Sequence, residues 1–177
     1  EDKWNAIVDN ASGSLAKMLK YNWVSQKGHI MQSKLYRNLK KDINKDTDGI
    51  NKYMKDLYEF SEYYNMFSSA DEASVQGWLE HFSLDTLQGN QDYISRITRV
   101  IQALKLFRVT QVIPLIYSIF QNFKHQQQKD KEYLFRILYT IERYHFINNV
   151  VCGRVANEVE KFYAEKAKEF YSSKSSL

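Results

Sequence analysis

A chain of 177 residues with 44% hydrophobic and 15% aromatic side chains has the length of one domain and the material for a real core. Six glycines and one proline leave little for hairpin turns, and a single cysteine excludes an internal disulfide and a multi-cysteine zinc site. The net charge of +4 hides an asymmetry, with 11 Lys/Arg against 13 Asp/Glu in residues 1–89 and 14 against 8 in residues 90–177, so a basic C-terminal half meets either solvent or a polyanion.

Apolar residues recur at helical spacing along almost the whole chain. Trp4, Ile7 and Val8 predict a short first helix, which Ser12-Gly13-Ser14 ends. Leu15, Met18, Leu19 and Trp23 mark a second, closed by a turn at Gln26-Lys27-Gly28 with Gly28 near the C-cap. Leu35, Leu39 and Ile43 share one face of a third. Asp46-Thr47-Asp48-Gly49 then reads as a cap and turn, Asp48 capping a helix that carries Ile50, Tyr53, Met54, Leu57 and Tyr64. A polar link from Ser68 to Ala73 leads to a short helix over Val75–Phe82, and Gly89-Asn90 precedes a stripe of Tyr93, Ile94, Ile97, Ile101 and Leu104.

Thr110 is placed to cap the next helix, which holds Ile113, Ile116, Tyr117 and Phe120, with Pro114 early enough that its missing N–H costs little. After the polar connector His125–Gln128, Tyr133, Leu134, Ile137, Leu138 and Ile141 begin a helix expected to run to about Asn148. Cys152-Gly153 breaks it, and Val155, Val159, Phe162 and Phe170 stripe the last. The expectation is an all-α bundle of about seven to nine helices over residues 1–171, with a frayed tail at 172–177. No apolar run approaches the roughly 18–20 residues of a membrane span. Glu1-Asp2-Lys3-Trp4 is not a leader peptide, so the cytoplasm is expected, and the missing Met reads as a piece of a longer protein.

Motifs for chemistry are scarce. Neither GxxxxGK[ST] nor GxGxxG spacing occurs. Asn44-Lys45-Asp46-Thr47-Asp48-Gly49 opens like a calcium loop, but Lys55 stands where that loop needs a bidentate glutamate. His29, His81, His125 and His145 form no HxxxH pair, so no metal is expected, nor any cofactor. His145 reads as a hydrogen-bonded structural residue and Cys152 as a buried thiol, a nucleophile only if His145 came near it. Arg96 and Arg99 share one face, Arg136 and Arg143 another, and with Arg154 they form a candidate strip for DNA phosphates. The alternative for these arginines is surface pairing with Glu132, Glu142 and Glu158.

Two tracts go further. Tyr21-Asn22-Trp23-Val24-Ser25-Gln26-Lys27-Gly28 precedes Lys34-Leu35-Tyr36-Arg37-Asn38-Leu39-Lys40; later come Ile141-Glu142-Arg143-Tyr144-His145-Phe146, Asn148 and Asn149, then Asn157, Glu160, Tyr163 and Ala167. Together, in this order, they resemble the helical middle of bacterial GmrSD-like proteins. The resemblance implies a part of a modification-dependent anti-phage DNA restriction enzyme, lying between a nucleotide-using ParB-like sensor domain and an HNH-type nuclease domain. Trp23, Gly28, Glu142, His145, Phe146, Asn148, Asn157 and Tyr163 would then be signature residues of structural kind. This chain has neither the DGQQR motif of the sensor domain nor the His-Asn-His cluster of the nuclease, so no catalytic residue carries over. Two readings stand: a non-catalytic scaffold that couples flanking domains and contacts DNA through its arginines, or a helical protein–protein interaction module. In either, Trp23, Trp78 and the tyrosines are expected in the core.

Overall fold

The computed structural model describes residues 2–43, 46–81, 84, 89–126, 130–153 and 159–173. Among them it places nine α-helices, one π-helical segment and no strand, so the chain is an all-α bundle. In order these are α1 (Asp2–Asn10), α2 (Leu15–Lys27), α3 (Gln32–Asp42), α4 (Thr47–Ser69), α5 (Glu72–His81), α6 (Gln91–Leu106), α7 (Ile113–His125), α8 (Lys131–His145), the π-helical segment Phe146–Val151, and α9 (Glu160–Ser173). No described helix is long and apolar enough to cross a membrane.

Short polar side chains start several of the helices. Asp46 Oδ1 accepts from the Gly49 N–H at 2.6 Å, and Asp130 Oδ1 accepts from the Tyr133 N–H at 2.9 Å. The cap of α4 is therefore Asp46 rather than Asp48, which lies in the first turn. With α4 helical from Thr47 onward, the described part of the calcium-like stretch is helix and not an ion loop. Thr110 does not cap α7. The cap position of that helix is Val112, without a side-chain bond, and Pro114 in its first turn has no N–H to leave unpaired. The chain end also differs from expectation, since Ser172 and Ser173 belong to α9 rather than to a tail.

The bundle is organised around α7, whose residues from Ile113 to Phe123 are all buried. One side of it is polar, carrying Ser118, Gln121 and Asn122, yet those residues are enclosed along with the apolar ones. α9 packs along it, with α2 and α4 on other sides, while α1 and α5 lie against α4. At the centre, aromatic rings from three helices meet edge to face. Phe60 lies 4.8 Å from Tyr117, and Trp78 lies 5.0 Å from Phe120. The Tyr63 hydroxyl donates to the Ile113 carbonyl at 2.9 Å, anchoring α4 to the start of α7. A smaller cluster of Val24, Ile30, Leu35 and Ala164, with Trp23 half-buried beside it, fastens α3 to α2 and α9.

The few polar side chains of α7 serve its neighbours. Carbonyls in the last turn of a helix have no intrahelical donor. Ser118 Oγ donates to the Ser25 carbonyl in the last turn of α2 at 3.0 Å. Asn122 Nδ2 donates to Ser173 Oγ at 2.8 Å and reaches the Phe170 carbonyl at 3.4 Å, at the end of α9. Gln121 Nε2 donates to Glu59 of α4. Replacing Ser118 by alanine removes one hydroxyl and almost no packing, yet strands a buried carbonyl. Ser118→Ala is expected to cost about 1–2 kcal/mol in urea unfolding, and a loss below about 0.3 kcal/mol would show that the carbonyl is satisfied otherwise.

Candidate functional site

The residues that could act on something outside the bundle collect on α8, the π-helical segment and α9. Along α8, Leu134, Leu138, Ile141 and His145 point inward. Continuing that stripe at helical spacing reaches Asn148, Asn149 and Cys152 rather than apolar residues, so the inward phase turns polar beyond His145. The chain widens there into the π-helical segment instead of running on as α-helix to Asn148, as its periodicity suggests. Phe146, Ile147, Val150 and Val151 fall on the opposite phase, and none of the six residues of the segment is buried. Phe146 is 47% and Val151 65% exposed. Cys152 is exposed as well, not the buried thiol that its apolar surroundings in sequence suggest.

His145 closes this end of α8. Its Nδ1 lies 3.1 Å from Asn149 Oδ1, an oxygen that only accepts, so Nδ1 carries the proton. Nε2 then accepts from the Tyr163 hydroxyl of α9 at 2.8 Å. Burial pushes the His145 pKa below 6.5, against the smaller upward effect of the Asn149 hydrogen bond, and burial raises Tyr163. Both ring nitrogens are thus engaged, with Asn149 and Tyr163, which leaves the imidazole no free nitrogen to act as a base for Cys152.

α8 and α9 scarcely touch elsewhere. α8 lies chiefly on α6, and α9 lies on α7 and α2. The gap between them is an apolar groove of about 430 Å³, floored by Leu115 and Ile119 of α7. Ile137, Ile141 and Tyr144 form the α8 wall, and Val159, Phe162, Tyr163 and Phe170 the other. Arg136 and Lys166 stand at its edges. The sequence signal for this groove was the width of the apolar pattern on α8, where Ile137 and Tyr144 flank the core stripe.

The five arginines do not form one strip. Arg96 is a strut between α6 and α8: its guanidinium stacks 3.8 Å from the centre of the Phe135 ring and lies 3.6 Å from Asp92 and 3.7 Å from Glu132. Arg99 shares a recess with Arg96, Val100, Phe135, Tyr139 and Glu142. Burial raises the Glu142 pKa there, and the Arg99 charge pulls it down. Arg136 lies on the other flank of α8, at the groove, and Arg143 is exposed. Arg154 and Asn157 lie outside the described residues, as does the Glu158 considered as an ion-pair partner.

Of the other signature residues, Gly28 takes φ +92° at the end of α2, where Lys168 Cδ would lie 3.6 Å from an added Cβ. Asn148 donates to the Tyr144 carbonyl at 2.9 Å. Trp78 is buried and Trp23 half-buried, but Tyr36, Tyr133, Tyr139 and Tyr144 are exposed rather than core. Among the described residues no group of three His, Cys, Asp or Glu side chains is placed to hold a metal. No family model matches this chain, and no curated protein or solved structure does so either.

The unfolded chain binds a proton on His145 near pH 6.5 that the folded chain refuses, so stability is full above that pH and falls as pH drops through it. Urea midpoints are expected to decline between about pH 7.5 and 5.5, and less steeply in His145→Phe; an equally steep decline would place the effect elsewhere. Arg96→Ala should lower stability by about 1 kcal/mol through the lost stacking. Arg96→Lys should recover little of it, because an ammonium does not stack on Phe135 as a guanidinium does.

Proposed function

We propose that this chain is a non-catalytic helical scaffold whose C-terminal helices present an apolar face to a protein partner. The π-helical segment carries the reading: Phe146, Ile147, Val150 and Val151 all stand in solvent, with Tyr144 and Phe162 exposed beside them. Exposing that many large apolar side chains is costly for a domain with a complete core, and such patches mark contact surfaces. π-helical turns are also rare and concentrate at functional positions. Under the likeness to GmrSD-like proteins the partner is a flanking domain of the same polypeptide. The chain then couples a nucleotide-using sensor domain to a nuclease domain in a phage-restriction protein.

The basic residues support a second reading, contact with the DNA backbone. Arg99, Arg136 and Arg143 are exposed and form no ion pair with a described carboxylate, so each is available to a phosphate. Salt separates the two readings, since counterion release makes phosphate contacts steeply salt-dependent and an apolar interface lacks that dependence.

Sedimentation velocity on the chain alone and with its flanking domains supplied in trans tests the first reading. Association should persist from about 50 to 200 mM salt and weaken at least about tenfold in Val150→Asp/Val151→Asp, whose side chains are 53% and 65% exposed, with thermal melts confirming the fold. Association blind to that double variant would remove the π-helical face as the contact. For the second reading, duplex DNA anisotropy should show a salt slope that falls by about 1 for each of Arg99→Ala, Arg136→Ala and Arg143→Ala. No binding at about 50 mM salt would end it.

A further inference from the structure

The groove between α8 and α9 has the dimensions of a ligand site. Its volume of about 430 Å³ falls in the range of roughly 300–1,000 Å³ in which small-molecule sites occur. His145 is the last residue of α8 and Tyr163 lies in the first turn of α9, and their 2.8 Å hydrogen bond clasps the two helices at that end. Arg136 of α8 and Phe170 of α9 line the groove nine and seven residues along their helices from the clasp. From Arg136 to Tyr144 the α8 wall rises about 12 Å.

The walls specify the chemistry of an occupant. Floor and sides are mostly branched aliphatic and aromatic carbon, and the wall hydroxyls nearest the middle are already engaged. Thr140 Oγ1 donates to the Arg136 carbonyl at 2.7 Å, and the Tyr163 hydroxyl donates to His145. Nothing there meets the backbone amides of an extended peptide, which need partners when buried. The charged groups are different in kind. Lys166 is held by Glu169 at 2.6 Å, whereas the guanidinium of Arg136 has only the Tyr133 ring, 5.7 Å away, and no described carboxylate. A cation with no carboxylate partner among the described residues, at one end of a long apolar trough, matches an anionic head on an apolar tail.

We propose that this groove binds a medium-chain aliphatic carboxylate, its head on Arg136 and its chain laid over Leu115, Ile119, Ile137 and Ile141 toward the His145–Tyr163 clasp. The groove borders the π-helical face and shares Tyr144 and Phe162 with it, but its lining includes none of Phe146, Ile147, Val150 and Val151.

Isothermal titration of the full chain with hexanoate, octanoate, decanoate and dodecanoate, each below its critical micelle concentration, tests it. One ligand should bind per chain, with Kd falling about two- to fourfold per added methylene until the chain meets the clasp, and then levelling. Arg136→Gln should weaken decanoate about tenfold and leave decanol unchanged, because decanol has no charge to lose. Ile137→Ala, which removes apolar wall at a half-buried position, should weaken both, with thermal melts confirming that each variant is folded. Absence of saturable binding by decanoate, affinity that ignores chain length, or equal binding of decanoate by wild type and Arg136→Gln would each overturn the proposal. Saturable binding of an acidic amphipathic helical peptide that decanoate fails to displace would overturn it in favour of a protein occupant.

Discussion

A helix with no solvent face must find protein partners for every polar group it carries, and α7 is that helix. Eleven consecutive residues from Ile113 to Phe123 are buried, and among them Ser118, Gln121 and Asn122 would each be costly without a hydrogen bond. They are satisfied by the ends of α2 and α9 and by Glu59 of α4. The same contacts that spare α7 a penalty also close the last turns of its neighbours, whose carbonyls would otherwise be orphaned. Apolar packing around α7 tolerates small slides. These bonds do not, so they fix how far each neighbour extends along it.

The site region derives from that arrangement. α9 is committed to α7 and α2, whereas α8 is committed to α6 through Phe135, Arg96 and Glu132. Two helices placed by different supports need not meet. Here α8 and α9 meet at His145 and Tyr163 and diverge from there, which leaves the groove. The clasp also shapes the next turn of the chain. Holding His145 inward and bonding it to Asn149 directs the polar phase of that turn toward the core and the apolar phase outward. Groove and exposed π-helical face thus share one origin, a buried histidine at the end of α8.

Helix existence was legible because 3.6-residue periodicity is strong in this chain, and the scarcity of glycine and proline left no competing structure. Helix ends were less so. Asp46 and Asp48 both offer a capping carboxylate two residues apart, and backbone geometry rather than residue type chose the first. Thr110 lost its role because α7 begins only where Val112 and Ile113 become buried. The full enclosure of α7 was not legible, because Ser118, Gln121 and Asn122 on one side of it read as a solvent face while the structure buries them against neighbouring helices. For the arginines, spacing along one helix shows which residues share a face, but not what the neighbouring helix brings opposite. Arg96 and Arg99 do share a face; that face is turned to Phe135 and Glu142 of α8, so one of the pair is a strut and the other lines a recess. Cys152 was misplaced because the apolar residues before it face outward, so its surroundings in sequence were not core.

The excess positive charge takes on a different meaning in this arrangement. The C-terminal half is basic by composition, and three of its cations are locally answered: Arg96 by Asp92 and Glu132, Lys166 by Glu169, and Lys124 by Glu59 across the α4–α7 contact. Among the described residues, the cations without a carboxylate partner, such as Arg99, Arg136, Arg143, Lys161 and Lys168, are spread over α6, α8 and α9. Separated cations give a weak field at a distance and a strong preference at contact, because Coulomb attraction between exposed charges is screened within about 8–10 Å at ordinary salt. In the proposed apolar contact, affinity comes from the apolar area and such cations choose which end of a partner or ligand lies where.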